Sequence, residues 1–102
     1  MALTQARHNW STFSGQFLEK LFIEKFKESG EFTQIGSYWE RGNQNEIDIV
    51  AVDEIEKRLV ICEVKLSEKR LSHNVLVLKA QKLVEKYKGY EVEYRLLSLK
   101  DL

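Results

Sequence analysis

A chain of 102 residues, 43% of them hydrophobic, supports one globular domain around one core and argues against disorder. Sixteen basic and sixteen acidic residues cancel, so no bulk positive field marks a nucleic-acid binder, and the placement of charge matters more than its sum. No stretch is apolar and long enough to span a bilayer, and Met1 to His8 lack the apolar core of a signal peptide; a cytoplasmic location is the default expectation. There is no proline, internal repeat or low-complexity run, which reads as a single compact unit over residues 1–102 or as a piece of something longer. A phosphate-binding glycine loop ending in Lys-Ser/Thr is missing, so any ATP chemistry would lie outside these residues. Cys62 has no second cysteine to pair with and falls in an apolar run, where a small buried thiol is expected.

In chain order, Ser11 offers an N-cap, and Phe13, Phe17, Leu18, Leu21, Phe22 and Phe26 recur at three- and four-residue steps until Gly30. The spacing predicts an amphipathic helix over about Ser11 to Ser29. Phe32 to Trp39 is rich in β-branched and aromatic residues and predicts a strand, and residues 41–45 are turn material. Strands over about Glu46 to Val52 and Arg58 to Lys65 follow. From Ser72 the period returns to helical: Leu76, Val77, Ala80, Leu83, Val84 and Tyr87 form one stripe ended by Gly89, and a last strand covers about Glu91 to Ser98. The order αβββαβ predicts an α/β fold. Three strands form an antiparallel meander, the helix between the third and fourth makes those two a parallel crossover pair, and helices flank a mixed four-stranded sheet.

The second and third strands carry the chemistry. Successive strand residues face opposite sides, so Glu46, Asp48, Val50 and Val52 are expected on one side of the second strand, and Leu59, Ile61, Glu63 and Lys65 on one side of the third. If Asp48 opposes Glu63, then Val50 opposes Ile61, Val52 opposes Leu59, and Asp53 to Arg58 form the connection. Two carboxylates and an ammonium then meet at one end of an apolar sheet face. Carboxylates on adjacent strands are a platform for Mg²⁺, with Mn²⁺ as a substitute, because Mg²⁺ takes oxygen ligands and keeps several waters. Such an ion stabilises charge on a scissile phosphate and activates water, while Lys65 orients that water or neutralises developing charge. Sixteen acids and eleven lysines in this length generate about two acid-x-Lys triplets by chance, so Glu63-Val64-Lys65 alone is weak; its position late in an apolar strand raises its weight. The competing reading is a set of charged residues on the solvated side of a two-layer sheet.

Helix, strand, a strand carrying Asp48, a strand carrying Glu63 and Lys65, helix, strand: from about Ser11 to Ser98 this series resembles the PD-(D/E)xK nuclease core, the restriction-endonuclease-like fold. Gly15 to Glu19, Ile35 to Trp39 and Glu46 to Val50 resemble more closely the nuclease-like C-terminal domain of archaeal and bacterial AAA-type ATPases, a family labelled a domain of unknown function. The resemblance implies that Asp48 and Glu63 are metal ligands, that Lys65 positions or activates water, and that Glu19 is the acid contributed by the first helix. It also implies DNA as substrate and an AAA-type ATPase domain, in cis or in trans, as partner, and allows a homodimer where double-strand cleavage needs two sites. Ile47 stands where the family has proline before its first acid. Relatives fused to ATPases vary in how complete their acids are.

Helical geometry places Glu19 near Ile23 and Phe26, beside the apolar stripe, from where it either reaches the sheet edge or extends into solvent. Glu46 reads as an extra ligand, a partner for Lys65, or a charged strand start. Lys79, Lys82 and Lys86 on the second helix, with Lys69 and Arg70 before it, form either a phosphate-contacting ridge or a solubilising face. Trp39 and Arg41 border the turn before Asp48, placed either to stack on a nucleotide or to pack in a core or interface. His8, His73 and Cys62 have no zinc-ligand spacing. Two functions follow: a Mg²⁺-dependent nuclease-type domain acting on DNA, or a non-catalytic module that keeps the nuclease fold as a scaffold for docking an ATPase.

Overall fold

The computed structural model describes residues 2–40, 45–66 and 72–102, with side chains from residue 16 onward. Helix α1 (Ala2–Ser29) is followed by strands β1 (Gln34–Trp39), β2 (Glu46–Asp53) and β3 (Arg58–Val64), helices α2 (His73–Lys79) and α3 (Gln81–Glu85), and strand β4 (Glu91–Leu97). The sheet order is β1-β2-β3-β4, antiparallel across the first two pairs and parallel between β3 and β4. An α/β fold with a mixed four-stranded sheet was the expectation, and it is what the chain adopts. Among the described residues no helix is long and apolar enough to cross a membrane.

Two apolar layers hold the sheet. On one face Leu18, Phe22 and Phe26, at the i, i+4, i+8 spacing of one helical stripe, pack on Ile49, Ala51, Val60, Cys62 and Val64. On the other, Leu76, Ala80 and Leu83 pack on Ile47, Val50, Val52, Leu59 and Ile61. β2 and β3 are therefore covered on both sides, which explains their nearly continuous apolar sequences. Cys62 is fully buried, and burial pushes its thiol pKa up to about 12, leaving an unreactive core group.

Three boundaries differ from the sequence-based reading. α1 starts at Ala2, so Ser11 is an interior residue: nothing between Ala2 and Ser11 is a helix breaker. The second helix is interrupted at Ala80, whose φ of −91° and ψ of 0° lie outside regular helix while its N–H still bonds the carbonyls of Leu76 and Val77. The β2–β3 connection is shorter than expected, because Asp53 and Arg58 still pair across the hairpin. The Asp53 carboxylate closes the turn by accepting from the N–H groups of Ile55 and Glu56 and from Arg58 Nε, while Lys57 takes the left-handed conformation (φ 58°).

The doubly covered centre sets a stability expectation. Ile49→Ala removes a fully buried side chain and is expected to cost about 2–5 kcal/mol, whereas Ile55→Ala, at an exposed turn position, should stay within about 0.5 kcal/mol. Urea unfolding midpoints of the two variants check this.

Candidate functional site

The hairpin register is the one expected from the alternation: Val50 opposes Ile61 and Val52 opposes Leu59, with pairing running to Ile49 and Cys62. Pairing stops there, one step short of Asp48 and Glu63. On the other side of β2 the register slips, so that the three steps from Ile47 to Val50 face only two steps, from Gly36 to Tyr38, on β1. The extra residue is a β-bulge at Asp48 and Ile49. It breaks the alternation, since Ile47 packs with Val50 against the α2–α3 layer while Ile49 packs against α1. The expected common face for Glu46, Asp48, Val50 and Val52 is thus corrected: the bulge takes Asp48 out of register with Val50.

Asp48 is turned instead towards the end of β3. Its Oδ2 accepts the backbone N–H of Val64 at 2.8 Å, a bond from side chain to strand where the backbone ladder has ended. Burial raises its pKa, and the Glu63 charge adds to that; the Val64 N–H and the charges of Lys65 and Lys79 oppose the rise. Glu19, from α1, is also raised, by burial first and then by repulsion from Asp48 and Glu46. Glu19, Asp48 and Glu46 therefore share one negative field at the strand end, and Glu63 and Lys65 act on the same Asp48. Asp48 is thus the residue linked electrostatically to Glu19 on one side and to Glu63 and Lys65 on the other.

Direction separates these acids from the others. Glu40, Asp53 and Glu93 have lowered pKa values, each held first by a hydrogen bond: from Asn45, from the Glu56 N–H, and from Arg95 respectively. Those acids complete local structure. Glu19 is raised by burial and like charge, and Asp48 because burial and the Glu63 charge outweigh the Val64 N–H and its lysine neighbours.

Glu63 is arranged differently. It is 7% exposed, and its Oε1 lies 3.3 Å from Lys79 Nζ of α2. Among the described residues no three acid, histidine or cysteine side chains stand close enough to enclose a metal ion by themselves. The donor chemistry nevertheless fits a hard, partly hydrated divalent cation. Asp48 and Glu63 supply anionic oxygens from adjoining strand ends, Glu19 adds a third acid nearby, and Mg²⁺ accepts one or two carboxylates with water completing its shell. Glu46 is exposed and contributes to the field at Glu19. Lys65 is exposed past the end of β3, its backbone N–H bonded to Leu97 O at 3.0 Å.

The basic residues of α2 and of the segment after it have partners of their own. Lys79 pairs with Glu63, Lys82 Nζ approaches Glu40 Oε1 at 4.0 Å, and Lys86 lies over the Tyr38 ring at 5.8 Å. All three face groups on the sheet as well as solvent. Arg41, Lys69 and Arg70 lie outside the described residues. Trp39 is 65% exposed, which removes it from the core. The role of Lys79 beside Glu63 was missed from sequence, although its spacing held the signal: three residues after Leu76 and four before Leu83, it shares their helix face.

The raised acids give a signed expectation for stability. Above its usual 3.8, the Asp48 carboxyl holds its proton more tightly in the folded protein than in the unfolded chain. Ionisation therefore costs stability as pH rises through the raised value, and the cost vanishes below 3.8, where both states are protonated. Asp48→Asn keeps an acceptor for Val64 and carries no charge. In chelator, it is expected to melt above wild type at about pH 8, with the gain shrinking as the pH falls towards about 4. Melting curves across that range check it, and a variant that melts lower at the alkaline end would refute it.

No curated protein and no solved structure matches the chain. The DUF234 family model, described as archaeal and bacterial proteins of unknown function, matches it over residues 1–93, so the chain belongs to this family.

Proposed function

We propose that this strand end is a divalent-cation site for phosphodiester hydrolysis on DNA, in a core of the restriction-endonuclease type. The observation that carries the reading is Asp48 itself. It is a half-buried acid set at a β-bulge where the β2–β3 ladder stops, and its ionisation responds to Glu63, Lys65 and Lys79 while in turn perturbing Glu19. A sheet that served only as scaffold would gain stability by continuing its ladder and placing apolar residues here.

In this reading Asp48 and Glu63 hold the ion, with Glu19 as the acid from α1. The bound cation, Mg²⁺ or Mn²⁺, would supply charge neutralisation at the scissile phosphate and a more acidic water. Val64 N–H fixes one oxygen of Asp48, so the carboxylate is oriented before any ligand arrives. In this reading Lys65, exposed and acting on Asp48, orients the attacking water or binds a phosphate oxygen. Lys82 and Lys86, with Arg41, Lys69 and Arg70, are the candidates for contacts to the DNA backbone.

A second reading, a non-catalytic module that docks an AAA-type ATPase domain, is favoured by two observations. Glu63 already has a cation partner in Lys79, and Trp39 is an exposed aromatic of the kind that anchors interfaces. Calorimetric titration of Mn²⁺ into wild type and Asp48→Asn separates the two. The hydrolytic reading predicts binding that the substitution weakens by about tenfold or more, together with cleavage of duplex DNA that is lost in the variant. Binding absent from wild type, with DNA affinity insensitive to salt, would favour the docking module.

A further inference from the structure

The α2 lysine beside Glu63 has a role that sequence did not suggest. We propose that Lys79 is the built-in counter-cation of the strand-end acids. In this proposal its ammonium occupies the Glu63 carboxylate until a divalent ion displaces it, so that Lys79 sets the cation affinity of the site. This rests on the divalent-cation reading of Asp48 and Glu63 given above.

Two observations converge on it. Lys79 Nζ stands 3.3 Å from Glu63 Oε1, with the Glu63 side chain only 10% exposed and that of Lys79 30% exposed, so the pair is shielded and not a loose surface contact. This lysine therefore already occupies one of the acids that would bind the ion. Finally, Lys79 comes from the last turn of α2, between Leu76 and Leu83, whose burial against the sheet anchors that turn beside the strand end. Glu63 has one near-buried carboxylate to offer. A cation binding to it has to compete with the ammonium, and the free energy of the ion pair is subtracted from the free energy of metal binding.

A structural lysine and a counter-cation predict opposite signs. Were Lys79 merely a brace for Glu63, its loss would leave the acid misplaced and weaken metal binding. As a competitor, its loss strengthens binding. Mn²⁺ titration of the full chain is therefore compared for wild type, Lys79→Met and Lys79→Arg, with melting curves in chelator alongside. Lys79→Met is expected to bind Mn²⁺ about three- to tenfold more tightly than wild type, and Lys79→Arg, which keeps the charge, to stay within about twofold. In chelator the Met variant should melt lower than wild type, and the gain in melting temperature on adding Mn²⁺ should be larger. Lys79→Gln is the replacement should the Met variant fail to fold.

The outcomes separate cleanly. Mn²⁺ binding by wild type with equal or weaker binding by both neutral variants overturns the counter-cation role and leaves the metal site standing. Binding by Lys79→Met where wild type shows none supports the role. No binding by any of the proteins overturns the role and the metal site together.

Discussion

The hydrogen bond from Val64 N–H to Asp48 Oδ2 is the point from which the rest of the strand end is organised. A sheet interior normally pairs each N–H with a backbone carbonyl of its neighbour, and a buried N–H without a partner costs about 1–3 kcal/mol. Here pairing between β2 and β3 ends at Ile49 and Cys62, and a carboxylate takes the next donor in place of a carbonyl. One side chain thus terminates the ladder and is oriented by it. The bulge on the β1 side makes this geometry available: without the extra residue, Asp48 would lie in register with Val50 and face the α2–α3 layer, where Leu76, Ala80 and Leu83 pack.

Electrostatics around that bond divide into two groups. Glu40, Asp53 and Glu93 are acids with their donors in place and lowered pKa values. Glu19 and Asp48 are held away from water near one another, at a position where their charges are not fully compensated. A chain of zero net charge can hold such a local excess because its lysines are distributed to meet acids elsewhere: Lys82 near Glu40, Lys27 near Glu24. The field that matters to a ligand is therefore local, and net charge is a poor guide to it.

Much of the architecture was legible in the sequence because it follows from two periods. The 3.6-residue stripe of Leu18, Phe22 and Phe26 and the apolar strands from Glu46 and Arg58 fixed element type, and a short hairpin fixed the pairing of Val50 with Ile61 and Val52 with Leu59. What a period cannot express was misread. A bulge is a departure from alternation that leaves no mark in composition, so Asp48 was placed on the wrong face, and the extra turns of α1 before Ser11 carry no apolar repeat to announce them. Lys79 reads from its helical spacing with Lys82 and Lys86 as part of a phosphate-contacting ridge or a solubilising face, neither of which points to Glu63. Its neighbours on the helix face, Leu76 and Leu83, already required that it approach the sheet.

Why the acids stand where they do follows from the packing on both faces. Ile49, Ala51, Val60 and Cys62 lie under α1, and Val50, Val52, Leu59 and Ile61 lie under α2 and α3, so the middle of β2 and β3 has no room for a charge that must reach water. Only where the strands run out of their covering can a carboxylate be half-buried, near enough to the apolar interior for its pKa to rise and near enough to solvent to exchange a ligand. Asp48 sits at that margin, one step beyond the last residues that β2 and β3 pair. The same margin is within reach of both layers, which is why Asp48 acts on Glu19 of α1 and is acted on by Lys79 of α2 although those two lie on opposite sides of the sheet. The apolar centre and the half-buried acid at its rim are thus two consequences of one arrangement, a central strand pair too well covered to accept charge anywhere but at its ends.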